Sequence, residues 1–294
     1  MRPGDAAPRD PIVSVVIPTR NRPELLQAAL ASALDQAFGE LEVIIVDEAS
    51  SPPVDDVLAA PDPRVRIIRN EQPRGPAAAR NQGAAASRAP YIAFLDDDDR
   101  WLQDKVSRVL ACFERNPEAG AVFHRTVPDG HPIAGDGSCR LLDDPVRRML
   151  TEQPPHLDSV VVRREVHERV EFDEGFRAAE DLDYMLRVSE TTPMVELDLV
   201  LAILGRGAER FSEIKLDDRI AARERFRAKH ARRFEDSEVR AFYYVRLGHL
   251  YRRSGRRTEA LAAFLRALRA KPSSARPWKG LVILLLPKKW LPSA

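Results

Sequence analysis

The sequence predicts an α/β fold, with a mostly parallel sheet flanked by helices and a small α-helical C-terminal region after it. Two apolar, β-branched runs, "IVSVVIP" at 12–18 and "LEVIIVD" at 41–47, are typical of strands that are buried on both faces. Between them, the segment 23–36 has apolar residues at helical spacing and a proline in its first turn. Strands and helices that alternate on short connections favour a Rossmann-like sheet.

The same alternation continues along the chain. The segments that follow are predicted, in order, as a strand at 65–69, a helix at 75–88, a strand at 91–96, a helix at 101–116, a strand at 119–125, a strand after 159, a helix that starts at 179 or 180, and a closing strand or two within 193–207. Residues 126–160 are rich in turn-forming residues and receive no assignment. From about Arg219 the chain is basic and has a helical pattern.

This pattern divides the 294 residues into three parts. A disordered leader at 1–11 precedes one large domain at 12–215, and a helical region occupies 216–294. Within that region, residues at about 241–274 match the tetratricopeptide consensus. A single helical hairpin of this kind cannot bury its own apolar face, so it must pack on the main domain, on a second subunit or on another protein.

Composition limits the partners and the compartment. The charge of 46 Lys+Arg and 45 Asp+Glu sums to +1, which gives no global field to attract nucleic acid. Cys112 and Cys139 lack the spacing of a zinc site, and we expect both to be reduced or incidental. The N-terminus lacks an apolar signal core and no apolar run approaches the ~20 residues of a membrane span, so we expect a cytoplasmic protein.

The end of the chain leaves two interpretations open. The apolar run "LVILLLP" at 281–287 is flanked by Trp278, Lys279, Lys288 and Trp290. Tryptophan and lysine beside an apolar patch suit peripheral contact with the inner face of a membrane. A last helix that packs under the hairpin explains the same residues.

Polar side chains follow three of the predicted strands at the point where each strand ends. Pro18 and Thr19 end the first strand, Asp47 and Glu48 the second, and four aspartates at 96–99 follow the run "YIAFL". In sheets of this kind ligands bind beyond the carboxyl ends of the strands. Four adjacent carboxylates after a buried strand repel one another unless a cation lies among them.

A divalent ion explains that acidic run best. Mg²⁺ or Mn²⁺ takes one or two carboxylates and fills its other positions from phosphate and water, which suits an Asp-x-Asp pair formed by Asp96 and Asp98. For Asp99 a simpler alternative is a helix N-cap before "RWLQDKV".

Five ordered blocks within residues 12–210 resemble the family 2 glycosyltransferases, which have the GT-A fold. "VSVVIPTRNRPELLQAALASALDQ" resembles the opening strand and helix of that family, and "LEVIIVDEAS" its Val-Asp-Asp-Gly-Ser segment. "GPAAARNQGAAAS" is similar to the Gly-x-x-x-Ala-Arg-Asn-x-Gly segment, "YIAFLDDDDRW" to the Asp-x-Asp strand, and "FDEGFRAAEDLDYMLRV" to the acceptor-side block.

The resemblance implies an inverting transfer of a sugar from a nucleotide-sugar donor to a hydroxyl acceptor. A UDP-linked donor is expected because UDP is the commonest donor nucleotide. Asp47 would accept a hydrogen bond from the base, in a pocket bordered by Pro18, Thr19 and Glu48. Arg80 would approach the nucleotide or the carboxylates, and Asp96 and Asp97 the ribose or the metal shell. Asp98, together with Asp96, would bind the Mn²⁺ or Mg²⁺ that bridges the diphosphate.

For the reaction itself the candidate base is Asp181. An inverting transfer needs a group that removes the proton of the acceptor hydroxyl, and a carboxylate at the start of a helix can be aimed at it. Glu180 would orient the base or hold the acceptor, and Asp183 is expected to be structural. The alternative is that Glu180 and Asp181 only favour the helix dipole; likewise Arg80 could be a surface arginine and Thr19 a turn residue.

The chain departs from the family pattern at several positions. Glu48 and Ala49 stand where the family has Asp and Gly, and Pro73 where it often has Asn. Two glycines usual before "Phe-Asp-Glu" are Val170 and Glu171. Where the family often has a histidine near the diphosphate, the candidates here are Arg206 and Arg210.

The sequence bears on three alternatives to a glycan or surface-polysaccharide transferase. A nucleotidyltransferase or a dinucleotide-binding dehydrogenase would need a glycine-rich phosphate loop after the first strand, and "PTRNRPE" contains no glycine. A catalytically inactive protein of the same fold that serves as an interaction module through its helical tail stays open. A separate expectation is that the helical tail joins two copies of the chain as a homo-oligomer. A lipid-linked acceptor would fit a tail that touches a membrane.

Overall fold

The computed structural model describes residues 10–58, 62–205 and 215–285, and in these residues nine strands form one mixed sheet. The strand order is β3-β2-β1-β4-β8-β6-β9-β5, and β7 pairs with β9. The strands are β1 (Val13–Thr19), β2 (Leu41–Glu48), β3 (Val65–Asn70), β4 (Tyr91–Phe94), β5 (Arg100–Trp101), β6 (Ala121–Pro128), β7 (Cys139–Leu141), β8 (Val160–Arg163) and β9 (Met194–Leu204).

Helices cover both faces of the sheet and form the C-terminal region. They are α1 (Pro23–Leu34), α2 (Val54–Val57), α3 (Pro76–Ala85), α4 (Lys105–Arg115), α5 (Pro145–Thr151), α6 (Arg164–Val170), α7 (Glu180–Thr191), α8 (Leu216–Lys229), α9 (Ser237–Arg253), α10 (Arg257–Ala270) and α11 (Ala275–Leu285). Two separate apolar clusters lie on the two sides of the sheet. Alternate residues of β1 and β2 belong to different clusters, because successive side chains of a strand point to opposite faces. The predicted α/β class is confirmed.

The first four strands in space are parallel and end together. In β1 and β2, Val13 is opposite Leu41 and Thr19 is opposite Asp47. β3 also runs parallel to β2, and β4 runs parallel to β1. The polar residues that follow β1, β2 and β4 therefore share one edge, as the sequence predicted.

Antiparallel pairing in the other half of the sheet adds a residue to that edge. β8 runs antiparallel to β4, with Ala93 opposite Val161 and Tyr91 opposite Arg163. Because the two strands run in opposite directions, the residues before β8 lie beside the residues after β4. This pairing brings Asp158 next to Asp96.

The helix predicted at 101–116 begins later than expected. Trp101 belongs to the short strand β5, which pairs with β9, and α4 starts at Lys105. Asp104 occupies the residue before the helix, so the N-cap interpretation of Asp99 is wrong. Tertiary pairing with β9 overrides the helical pattern of this segment.

The segment that received no assignment contains β7 and α5, and β7 corrects the expectation about the cysteines. Cys112 of α4 and Cys139 of β7 form a disulfide, with their Cα atoms 5.9 Å apart. Cys112 points from α4 toward the sheet and is fully buried, which places it against the edge strand. Both cysteines were expected to be reduced, and that expectation is wrong for this structure.

The helical hairpin packs on the main body of the chain. α9 and α10 lie so close that a Cβ added to Gly248 would be 2.7 Å from a ring carbon of Phe264. α9 also contacts α5 and α8, and its Tyr243 and Leu247 belong to the same apolar cluster as Leu182 of α7. Of the three surfaces considered for the hairpin, the main domain is the one that the structure provides.

α11 follows the hairpin and ends at Leu285. Gly280 of α11 approaches Phe264 of α10, and Trp278 is 54% exposed. In the three described ranges, no helix combines the length and the apolar content needed to cross a membrane. The last residues of the apolar run, with Lys288 and Trp290, lie outside the described residues, as do Arg206 and Arg210.

Candidate active site

A cluster of carboxylates lies at the end of β4. The backbone N–H of Asp96 donates to Oδ1 of Asp158 at 2.6 Å. Carboxylate oxygens of Asp96, Asp99 and Asp158 all lie within 4.8 Å of one another. We call these three residues the acidic corner; it includes Asp96, as predicted, and it adds Asp158, which the sequence analysis missed.

Burial makes the acidic corner electrostatically unfavourable on its own. Burial raises the pKa of Asp158, and the charge of Asp96 raises it further, while a hydrogen bond with Asp99 opposes the change. Oδ2 of Asp158 is buried and has no hydrogen-bond partner within the described residues. The carboxylate of Asp99 accepts from the backbone N–H of Gly205 at 2.8 Å. An unsatisfied buried carboxylate oxygen is what a cation would be expected to relieve.

A buried lysine lies beneath the acidic corner. Nζ of Lys105 is 3.1 Å from the centroid of a Trp101 ring and has no hydrogen-bond partner among the described residues. The indole N–H of Trp101 donates to the backbone carbonyl of Asp158 at 3.0 Å. Burial lowers the pKa of Lys105 well below its ordinary value, and the charge of Asp158 opposes this shift. The aromatic ring and the carboxylate thus supply the partial compensation that this side chain has.

Arg80 connects the acidic corner with the start of α7. Its guanidinium donates from Nη2 to Asp96 at 2.6 Å and from Nη1 to Glu180 at 2.8 Å. Burial acts against its charged form, but the two carboxylates outweigh burial and raise the pKa of Arg80 above its ordinary value. The interpretation of Arg80 as a surface arginine is wrong, since its side chain is 6% exposed.

The other aspartates of the run contact the end of β1. The hydroxyl of Thr19 donates to Asp97 at 2.7 Å, so Thr19 is more than a turn residue. Arg22, which the sequence analysis did not select, lies 3.2 Å from Asp97 and 3.8 Å from Asp98. Burial raises the pKa of Asp97, although Thr19 and Arg22 oppose it.

Exposure distinguishes the four aspartates. The side chains of Asp96 and Asp98 are 34% and 11% exposed, whereas Asp99 is fully buried and Asp97 nearly so. A ligand that arrives from solvent therefore meets Asp96 first, since Asp98 is only slightly more exposed than Asp97, whose side chain is 7% exposed. Asp98 is not a member of the acidic corner, so among the described residues only Asp96 of the predicted pair belongs to that group of carboxylates.

Asp47 and Glu48 organise the loops that border the edge of the sheet. Asp47 accepts from the backbone N–H of Ser50 at 2.8 Å and of Val54 at 3.2 Å, and it pairs with Arg69. Burial alone would raise the pKa of Asp47, but these hydrogen bonds hold it below its ordinary value. Pro18 precedes Thr19 in β1, opposite Val46 of β2.

Glu48 has one methylene more than the aspartate of the family pattern, and its hydrogen bonds explain the longer side chain. Its Oε2 accepts from the backbone N–H groups of Arg74 and Gly75, both at 2.6 Å, and its Oε1 accepts from Asn70 at 2.6 Å. Gly75 precedes α3 with φ +93, a conformation that favours glycine. Glu48 thereby holds the entry to the helix that presents Arg80.

The start of α7 presents its acidic residues in different environments. Glu180 is buried against Arg80, and burial raises its pKa more than Arg80 lowers it. Asp181 is exposed, and one of its oxygens accepts from the N–H of Leu182. The carboxylate of Asp183 is buried and pairs with Arg187, Lys229 and His230. Asp183 thus attaches α8 to α7, which confirms the structural role expected for it.

The residues of the edge fit a divalent cation. The donor set is made of carboxylate oxygens, which Mg²⁺ and Mn²⁺ prefer, and it includes Asp158. Oδ2 of Asp158 is buried without a hydrogen bond among the described residues and lies 4.0 Å from Nδ1 of His156. Arg22 and Arg80 supply part of the opposing charge. The remaining excess of negative charge is compatible with a metal ion near Asp96 and Asp98.

Residues 14–136 match the family model described as Glycosyl transferase family 2. This segment is a family 2 glycosyltransferase domain. The chain is 33% identical over 199 residues to the succinoglycan biosynthesis protein ExoO of Rhizobium meliloti (strain 1021), covering 61% of this chain and 55% of ExoO. It is 35% identical over 104 residues to the UDP-Glc:alpha-D-GlcNAc-diphosphoundecaprenol beta-1,3-glucosyltransferase WfaP of Escherichia coli, covering 35% of this chain and 41% of WfaP.

The fold of the chain is also similar to that of a solved structure. The mannosyltransferase PcManGT from Pyrobaculum calidifontis, in complex with GDP-Man and Mn²⁺, superposes with a TM-score of 0.64 at 20% identity, covering 97% of this chain and 84% of that one. The expected GT-A fold is thereby confirmed. The chain spans only about half of the length of these two curated relatives, since it aligns with 55% of ExoO and 41% of WfaP.

Proposed function

We propose that this chain is an inverting, metal-dependent glycosyltransferase that moves a sugar from a UDP-linked donor to a hydroxyl of a glycan acceptor in polysaccharide synthesis. The observation that carries the proposal is the position of Arg80, which joins Asp96 at the end of β4 to Glu180 at the start of α7. This contact supports a donor-binding edge next to the first turn of α7, where Asp181 is the proposed base.

In this proposal the donor lies along the edge of the sheet. Pro18, Thr19, Asp47 and Glu48 border the base pocket, and Asp96 and Asp97 face the ribose and the metal shell. Asp98, with Asp96, is the metal ligand, because these two side chains are the more exposed members of the run. Arg80 positions the Asp96 carboxylate. The bound metal would stabilise the negative charge that develops on the departing diphosphate.

At the acceptor side Asp181 removes the proton of the attacking hydroxyl. The acceptor oxygen then forms a bond to the anomeric carbon from the face opposite to the diphosphate, and the bond to the diphosphate oxygen breaks, which inverts the configuration. Glu180, held by Arg80, fixes the first turn of α7 so that Asp181 points outward. A base with an exposed carboxylate suits an acceptor that binds last.

The relatives support transfer of a sugar from a nucleotide-sugar donor, without identifying the donor or acceptor of this chain. ExoO is described by its part in succinoglycan biosynthesis, and WfaP by transfer of glucose from UDP-Glc to a sugar linked to a lipid diphosphate. PcManGT was solved with a nucleotide sugar and Mn²⁺. These properties belong to those proteins, and here they favour a nucleotide-sugar donor and a divalent ion.

A thermal-shift screen of nucleoside diphosphates and nucleotide sugars, with and without Mn²⁺, tests the donor assignment. The proposal expects the largest rise in Tm with UDP or a UDP-sugar and only when Mn²⁺ is present. A catalytically inactive interaction module would give a rise without metal, or none, and no turnover of any donor.

A further inference from the structure

A cleft lies between α5 of the main domain and the helical C-terminal region. Its volume is about 580 Å³, within the range of about 300–1,000 Å³ in which proteins bind small molecules. The described residues that line it come from α5, from the first half of α9 and from 271–276, where α10 has ended and α11 begins. None of them belongs to the edge of the sheet or to α7, so the cleft is separate from the candidate active site.

Cationic side chains from three elements line this cleft. They are Arg147 of α5, Lys271 after α10 and Arg276 of α11. Two of them share one carboxylate: Glu238 of α9 pairs with Arg147 through Oε2, and its Oε1 accepts from Nζ of Lys271 at 2.6 Å. Because both cations contact the same carboxylate, they lie close together in the cleft.

Arg276 has contacts of a different kind. Its Nη1 donates to the backbone carbonyl of Thr151, at the end of α5, at 3.4 Å, and its guanidinium carbon is 5.3 Å from the centroid of the Phe242 ring. The side chain is exposed, and among the described residues it pairs with no carboxylate. Its charge is therefore available to an anion that enters the cleft from solvent.

The lining has more positive than negative charge. Among the described residues, the lining contains one carboxylate besides that of Glu238, namely Glu152, which pairs at 3.2 Å with Arg148, an arginine outside the lining. Three cations thus face two carboxylates, one of which already serves another arginine. Ser273 and Ser274 add two hydroxyl groups to the same cleft. An excess of one sign of charge in a cleft attracts ligands of the opposite sign.

We propose that this cleft is a binding site for a sugar phosphate, distinct from the site of the donor. The phosphate binds among Arg147, Lys271 and Arg276, because guanidinium and ammonium groups donate charge-assisted hydrogen bonds to phosphate oxygens. The hydroxyls of Ser273 and Ser274 supply further donors.

The rest of the cleft suits the sugar. A bare phosphate would leave most of the 580 Å³ unfilled and the carboxylate of Glu152 without a role in binding. A carboxylate accepts hydrogen bonds from sugar hydroxyls. The hydroxyl of Thr151 donates to the backbone carbonyl of Arg147 at 2.8 Å and keeps its capacity to accept. A ligand with one phosphate and several hydroxyls therefore matches both parts of the lining.

The site also gives the packing of the helical region a role. Arg147 belongs to the main domain, whereas Lys271 and Arg276 belong to the helical region. The three cations come together only when α5, α9 and the start of α11 are packed as they are here. A ligand that contacts all three therefore binds the folded arrangement alone, and it should raise the Tm of the protein.

Binding is tested by isothermal titration with glucose 6-phosphate, inorganic phosphate and glucuronate. EDTA is present, because without a metal the aspartate run repels anions. The variants are Arg276→Gln, Arg276→Lys and Lys271→Gln; Arg276 is exposed, so its replacement should leave the fold intact. Arg269→Gln, at an exposed arginine of α10 outside the lining, is the matched control. Affinity for UDP with Mn²⁺ is measured separately on every protein.

The proposal expects the wild type and Arg269→Gln to bind glucose 6-phosphate more tightly than inorganic phosphate or glucuronate. Arg276→Gln and Lys271→Gln should bind it about tenfold more weakly, because each loses charge-assisted hydrogen bonds. Arg276→Lys should be intermediate, since it keeps the charge without the paired donors.

Three results would overturn the site. They are no binding of glucose 6-phosphate by the wild type, unchanged binding by the two glutamine variants of the cleft, and binding of inorganic phosphate or glucuronate at least as tight as that of glucose 6-phosphate. Affinity for UDP should be the same in every protein. Failure of the wild type to bind UDP would count against the proposed function alone, because the cleft shares no residue with the donor edge.

Discussion

Glu180 lies 2.8 Å from Nη1 of Arg80, although 100 residues separate them in the sequence. The same guanidinium reaches Asp96 at 2.6 Å, so one buried side chain holds the end of β4 and the start of α7 together. Few single contacts join the two halves of the candidate site so directly. Its removal should therefore change both stability and activity.

Substitution of Arg80 by Gln should lower the free energy of unfolding by about 3–5 kcal/mol, because it leaves two carboxylates without their buried partner. Urea titration measures this change. The double variant Arg80→Gln/Glu180→Gln should recover part of the loss, since it also removes one of the uncompensated charges. Arg74→Gln, at an arginine that is 50% exposed, is the control and should change little. Additive losses in the double variant would contradict the coupling.

Substitution of Asp181 by Asn should lower kcat by about 10²–10⁴, because the amide cannot take the proton of the acceptor hydroxyl. Affinity for UDP in the presence of Mn²⁺ should be unchanged, since Asp181 is exposed at the acceptor side. A matched control is Asp218→Asn, at an exposed aspartate in the first turn of α8. Steady-state kinetics that leave kcat within a factor of two of the wild type would rule out Asp181 as the base.

His167 should make the protein less stable in mild acid. Burial and, less strongly, the charge of Arg187 lower the pKa of His167 from 6.5 to about 4 in the folded state. The pKa of His167 is lower in the folded state than in the unfolded state. The contribution of its neutral imidazole to the free energy of unfolding is therefore complete above pH 6.5 and is lost as the pH falls through about 4. The total is about 3 kcal/mol.

The pH dependence of unfolding by urea checks the role of His167. Between pH 7 and pH 4 the variant His167→Gln should lose less stability than the wild type, because it has no imidazole to protonate. His131→Gln, at an exposed histidine, should follow the wild-type curve. Parallel curves for all three proteins would show that another group controls the acid sensitivity.

The disulfide between Cys112 and Cys139 should add measurably to stability when it is formed. Closure of a loop with a sequence separation of 27 contributes about 3 kcal/mol through the entropy of the unfolded chain. A reducing agent should therefore lower the Tm of the wild type. Cys139→Ser cannot form the disulfide, so its Tm should be close to that of the reduced wild type both with and without the reducing agent. If reduction frees both thiols and leaves the Tm of the wild type unchanged, the predicted stabilisation by the disulfide is wrong.

The local patterns in the sequence predicted the first half of the fold well. β1, β2 and β3 begin and end within about one residue of the predicted segments, because each is an apolar run bounded by turn residues. The start of α7 at Glu180 was also predicted, from an acidic pair before an apolar stripe. These elements are specified by short-range signals.

The rest of the candidate site depends on pairing between distant segments. Asp158 joins Asp96 only because β8 runs antiparallel to β4, and a single aspartate before an apolar run carries no signal of that register. Trp101 leaves the helical pattern for the same kind of reason, since its strand pairs with β9. Arg22 was missed because the loop between β1 and α1 contains two arginines, Arg20 and Arg22, and no local signal distinguishes them.

The most direct test of the account is the release of UDP from a panel of UDP-sugars, measured against Mn²⁺ concentration for the wild type and for Asp98→Ala. We expect the wild type to turn over at least one donor only when Mn²⁺ is present, and Asp98→Ala to lose activity by about 10²-fold or more. Equal turnover by the two proteins, with the same response to Mn²⁺, would contradict a metal held by Asp98 and with it the proposed mechanism.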